Sequence, residues 1–194
     1  MWRHAQIAIR LAVITALLLG VAYPLLITGL SQALFPRQAN GSLVRSGGRV
    51  MGSELIGQQF TRPEYFHPRP SAAGRGYDAT ASGGSNLGPT SRALAQRVSA
   101  EAARLQEENP GLSAGHIPAD MITTSASGLD PDISLANADA QAHRIAKARG
   151  MSQDEVGRII RSNLTDRQFG LLGEPRVNVL RLNLSLNAEG TARP

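Results

Sequence analysis

Twenty consecutive residues without a charge, Leu11 to Leu30, constrain this chain more than any other feature. The uncharged run continues to Pro36. As a helix, twenty residues rise about 30 Å, the thickness of a bilayer's hydrocarbon core. Eleven of the twenty are Leu, Ile or Val. At roughly 0.5 kcal/mol each they favour insertion by about 5 kcal/mol, before Gly, Thr and Pro subtract from it. Trp2 and Phe35 flank the run where an interfacial aromatic belt sits, and Arg3, Arg10 and Arg37 mark its ends. Pro24 removes one helical hydrogen bond, which a span tolerates and which predicts a kink. The alternative is a secretory signal cleaved after Ser31 to Ala33, a small-x-small site. Signal apolar regions are shorter than this run, so a retained single span is the expectation.

Residues 37–194 are long enough for one domain with its own core. The absence of cysteine excludes disulfides, thiolate metal sites and cysteine nucleophiles. Net charge is +5, with 18 basic and 15 acidic residues after the span. These charges are dispersed, which speaks against a nucleic-acid partner. Arg3 and Arg10 before the span against Arg37, Arg45 and Arg49 after it leave the membrane orientation undecided by charge.

Two short runs, Leu43 to Arg45 and Arg49 to Met51, flank Ser46 to Gly48 and predict a hairpin. Leu55 and Ile56 form a short apolar core pair. Thr61 to Pro89 has no helical or alternating period, yet carries Tyr65, Phe66 and Tyr77, three of the chain's eight aromatic residues. Those rings predict an ordered surface loop that docks on something. Leu94, Val98, Ala102 and Leu105 predict a helix over 91–109. Met121 to Thr124 reads as a short strand. Ser134 to Arg149 reads as a second helix capped by Ser134 and stopped by Gly150. Ser152 with Glu155 forms a capping box that opens a third helix, with Val156, Ile159, Ile160 and Leu164 inward. Alternating leucines make Val177 to Leu186 the strongest strand expectation, followed by a frayed polar tail. The fold class is therefore α+β: a single N-terminal transmembrane helix (1–36 with its flank) followed by one soluble domain (37–194) with a small β-sheet and about three helices.

Chemistry is sparse. His4, His67, His116 and His143 lack ligand spacing, no GxSxG elbow occurs, and neither a metal site nor an independent catalytic site is expected. Ser82 to Asn86 has the composition of an anion nest, or of a plain tight turn. Asp130 and Asp132 stand at the entrance of the second helix, where carboxylates either hold a cation or cap. Gln141, Arg144 and Arg149 lie along that helix and suit either a nucleotide contact or a solvated face.

Taken together, several stretches resemble the C subunit of the Kdp-type potassium-transporting P-type ATPase (the KdpC family). They are Gly52 to Gln58, Tyr65 to Ala72, Ser82 to Asn86, Thr124 to Pro131, Gln141 with Arg144 to Arg149, Val177 to Leu180, and Leu182 to Leu184. Their order covers nearly the whole chain, span included. The resemblance implies a non-catalytic accessory subunit in the cytoplasmic (inner) membrane, its soluble domain extracytoplasmic. The implied partners are an ATP-hydrolysing B subunit, a potassium-translocating A subunit and membrane lipid. It further implies stabilisation of the assembly and a catalytic-chaperone role that raises ATP affinity, with Gln141 contacting the nucleotide; Arg144 on the same helix is the second candidate nucleotide-binding residue. No tightly bound cofactor is implied; ATP would act through the complex. Tyr65, Phe66 and Arg69 are the expected partner-docking residues. Asp132 and Leu135 depart from the family pattern. An exported, membrane-anchored binding or hydrolytic domain unrelated to transport is the alternative.

Overall fold

A computed structural model describes residues 1–191. The chain falls into two compact units, Met1–Val50 and Met51–Pro194, each taken by itself below.

In the first unit, Trp2–Leu34 is a 33-residue helical run, apolar and long enough to cross a membrane. It consists of α1 (Trp2–Leu17) and α2 (Tyr23–Leu34), joined by a π-helical segment, Leu18–Ala22. Pro24 explains the widened turn. Its ring would collide with the carbonyl four residues back, that of Gly20, so the ladder opens just there. The short α3 (Pro36–Ala39) follows, and Asn40 Nδ2 donates to Pro36 O at 2.6 Å and to Gln32 Oε1 at 3.0 Å. The expected hairpin is present as β1 (Leu43–Ser46) and β2 (Arg49–Ser53). Its two-residue turn places Gly47 at φ 55° and Gly48 at φ 78°, the left-handed pair a tight hairpin of this type needs.

The second unit is built on a three-stranded antiparallel sheet of order β3-β5-β4, with β3 Asp132–Ser134, β4 Leu164–Thr165 and β5 Arg176–Asn178. Val177, fully buried on the central strand, faces Ile133 on one side and Leu164 on the other. Helix α4 (Arg92–Glu108) starts at Ser91, whose side chain caps it, and buries Leu105. Two helices grow directly out of strands: α6 (Leu135–Arg149) from β3 and α8 (Val179–Thr191) from β5. Ser134 caps α6 by accepting from Asn137 N at 3.1 Å. Gly150, at φ 63°, ends α6 in a left-handed turn that lets Met151 N reach Ala146 O at 2.9 Å. The capping box of Ser152 and Glu155 opens α7 (Gln153–Ser162), which buries Val156, Ile159 and Ile160 against α6. These residues, with Phe66, Ile145, Leu182 and Leu186, form the core.

Three expectations fail. The predicted strand over 177–186 is strand only to Asn178; from Val179 it is helix α8, which continues past Asn187 to Thr191. The buried residues Val179, Leu182, Asn183 and Leu186 follow i, i+3, i+4, i+7, so the leucine alternation masked a helical stripe. The part of the polar tail at 192–194 lies outside the described residues. The strand expected at Met121 to Thr124 is instead a helical turn, α5 (Ala119–Ile122), which points Met121 inward. Leu55 is 60% exposed, so the apolar pair at 55–56 does not enter the core.

Candidate functional site

The loop over 61–90 has no regular structure, so its backbone donors and acceptors need partners from elsewhere. Side chains of α6 and α8 supply them. Asn183, on α8, takes the Phe66 N–H on Oδ1 at 2.8 Å and donates from Nδ2 to Phe66 O at 3.0 Å. Gln141, on α6, does the same one residue further on. Its Oε1 accepts from His67 N at 2.8 Å and its Nε2 donates to His67 O at 3.0 Å. Two carboxamides thus pair with the N–H and C=O of successive residues as a neighbouring strand would.

Two guanidinium groups take the carbonyls just upstream. Arg144 donates to Pro63 O, to Tyr65 O at 3.0 Å, to Asn109 Oδ1 at 3.1 Å and to Gln141 Oε1 at 2.6 Å. Arg149 donates to Glu64 O at 2.7 Å, Leu186 O at 3.2 Å and Asn187 Oδ1 at 2.9 Å. It also lies over the Tyr65 ring, 5.1 Å from its centre. Gln141 and Arg144 are 2% and 7% exposed, so the polar side of α6 is not a solvated face. Asn137, Gln141 and Arg144 recur at i, i+4 and i+7, one buried polar stripe alongside the apolar one. Burial pulls the Arg144 guanidinium down to about 10, which leaves it charged at neutral pH.

The rings expected to dock divide between core and flank. Phe66 is fully buried in the core of its own unit. Tyr65 is half-buried between Arg149 and Arg62, 5.8 Å from Phe60. Arg69 pairs with Asp130, Nη1 to Oδ2, at 2.9 Å. Asp132 pairs with Arg176 at 2.9 Å, and no group of three metal-ligating side chains exists among the described residues. In the glycine-rich stretch at 82–86, Gly83 N is taken by Ser127 O at 2.8 Å, which makes the stretch a stitch between two loops.

Gln141 also lines a cleft of about 410 Å³, walled by Phe60, His67, Tyr77, Glu108 and Asn137. Arg104 on its rim is shared by Glu101 and Glu108. His67 Nε2 lies 3.1 Å from Arg62 O and Nδ1 lies 3.9 Å from Glu108 Oε2. Burial first, and the charge of Arg144 second, hold the His67 imidazole below its usual range. Burial, helped by Glu101, pushes the Tyr77 phenol up to about 12, and its hydroxyl donates to Arg69 O at 2.7 Å. Two carboxylates against one arginine make the rim a poor cradle for a triphosphate.

Sequence reasoning did not find Asn109, Asn137 or Asn183, and left Arg149 between two roles. The available signal was the loop itself: an ordered irregular segment implies buried polar side chains nearby.

Comparison with known proteins covers the same stretches. The family model described as KdpC, the c chain of K+-transporting ATPase, matches residues 5–188. A relative named potassium-transporting ATPase KdpC subunit, from Myxococcus xanthus, is 58% identical over 181 residues, 93% of this chain and 85% of the relative. One of the same name from Acidobacterium capsulatum is 55% identical over 184 residues, 95% and 97% of the two chains. Another, from Rhodospirillum rubrum, is 54% identical over 187 residues, 96% of each. All but the first three residues of the apolar helical run, and the whole clamped loop, fall inside the match, and the chain belongs to the KdpC family.

Proposed function

We propose that this chain is the accessory subunit of an ATP-driven potassium pump, held in the membrane by its N-terminal helix. The family match over 5–188 carries the reading, since it spans anchor and soluble unit together. Its role is to stabilise the assembly, not to perform chemistry. Its partners are the ATP-hydrolysing and the potassium-translocating chains of the same pump. The soluble unit lies on the extracytoplasmic side of the cytoplasmic membrane.

The finer role is that of a catalytic chaperone, raising the ATP affinity of the hydrolysing chain. Direct nucleotide contact by Gln141 or Arg144 requires them to release the loop, because both are engaged with it. We therefore assign the effect on ATP to the loop that these side chains shape. Affinity purification of the tagged full chain in mild detergent tests the reading: both partner chains should co-purify. Gln141→Ala should then raise the KM for ATP of the assembled pump.

A further inference from the structure

Beyond β4 the chain reverses in a tight turn over 166–174. Gln168 and Leu172 exchange backbone hydrogen bonds in both directions, at 2.8 and 2.9 Å. Arg167 Nη2 meets Glu174 Oε2 at 2.6 Å across the base. The tip is apolar and bare: Phe169 is 96% exposed, Leu171 76% and Leu172 56%. Phe169 also sits at φ 56°, followed by Gly170 at φ 72°. A bulky residue is unusual in that left-handed region, where Asn or Gly serves a turn at lower cost. The ring gains nothing from its own unit in return.

The same turn forms one wall of a cleft of about 660 Å³. Arg69 and Arg176 bring two positive charges to it and are paired with Asp130 and Asp132; Asp120 and Glu174 add two negative ones, and with Arg167 of the turn, which meets Glu174, the net charge is −1. The apolar tip therefore stands beside a net acidic hollow.

We infer that Phe169, Leu171 and Leu172 are a preformed anchor that enters an apolar socket on another protein chain of the same ATPase, a socket bordered by Lys or Arg that face the acidic cleft. This rests on the subunit reading above. Exposed aromatic and aliphatic side chains on a rigid turn are what dominates interface energy, and the hydrogen-bonded turn loses little freedom on docking. Charge selects the partner. An anionic bilayer surface attracts loops with a basic rim and repels an acidic one. A second copy related by a two-fold axis would bring a second acidic cleft against the first.

The test uses the full-length chain. Phe169→Asn removes the ring and suits the left-handed backbone, so its melting temperature should equal or exceed that of the wild type. Its yield of co-purified ATPase chains should fall about tenfold or more, as for loss of a hot spot. Leu171→Ser should act in the same direction. Because the chain has no cysteine, Leu171→Cys gives a single site for an environment-sensitive fluorophore. Its emission should shift to the blue in the assembled complex and stay unshifted in nanodiscs of anionic lipid without partner chains. Undiminished co-purification of both variants overturns the inference, as does a blue shift in lipid alone or one that follows the concentration of the isolated chain. If the wild type itself captures no ATPase chain, the subunit reading falls as well. If the wild type and both variants capture it equally, only the socket falls.

Discussion

Asn183 and Phe66 exchange two hydrogen bonds, carboxamide to peptide, across 117 positions of sequence. The same side chain that completes the polar contacts of α8 thereby fixes the depth at which the Phe66 ring enters the core. Gln141 repeats the arrangement at His67, so position and orientation of the loop are set at two consecutive residues.

Asn183→Ala should leave the buried N–H and C=O of Phe66 without their partner, and Gln141→Ala the part-buried N–H and C=O of His67. Each should cost about 1–3 kcal/mol of stability per group left unsatisfied. Because the two side chains grip adjacent residues, the double variant should lose less than the sum of the singles. Chemical denaturation of the three variants measures the coupling.

Phe66→Ala should destabilise by about 3–5 kcal/mol, the range for deletion of a fully buried aromatic ring. Tyr65→Ala, at a half-buried ring stacked on guanidinium groups, should cost less. Thermal melts of the two variants in the same detergent compare them directly.

His67 predicts a pH dependence. Its pKa is lower in the folded chain than in the unfolded one, chiefly because its ring is buried. Above the ordinary histidine range both states are neutral and stability is full. As pH falls below about 6.5 the unfolded chain takes the proton first, and stability declines until the lowered folded value is passed. His67→Gln should flatten the melting temperature between pH 7 and pH 5, whereas the wild type should lose stability over that window.

Gly128→Ala should be disruptive although the residue lies in a loop. A Cβ there would meet Gly83 O at 2.6 Å and Ala73 N at 2.7 Å, with the backbone at φ 67°. The loop over 71–84 depends on this approach: Ser71 Oγ donates to Gly128 O at 2.6 Å and Gly83 N to Ser127 O at 2.8 Å. A loss of about 1–3 kcal/mol is expected from the backbone conformation alone. Limited proteolysis should cut the variant between residues 71 and 90 before the wild type.

The helices whose ends carry local signals were legible in the sequence. Ser91, Ser134 with Gly150, and the pair Ser152 and Glu155 act through bonds to residues three or four away, so their meaning survives without tertiary context. The C-terminal helix was not legible, because Leu180, Leu182, Leu184 and Leu186 alternate while the stripe that packs is Val179, Leu182, Asn183 and Leu186. A buried asparagine in that stripe reads as polar surface until its partner, Phe66, is known. The clamp was hidden for the same reason. Gln141 and Arg144 stood out as polar residues on one helix, but the loop atoms they hold are backbone atoms more than seventy positions away.

As the proposed accessory subunit, this chain should stabilise and sensitise a potassium ATPase without catalysing its reaction. Potassium-stimulated ATP hydrolysis, titrated with ATP in pump preparations purified with and without this chain, tests it most directly. Omission should lower the yield of intact complex and raise the KM for ATP, and adding back the wild-type chain should reverse both. Equal yield and an unchanged KM in its absence would rule out this role.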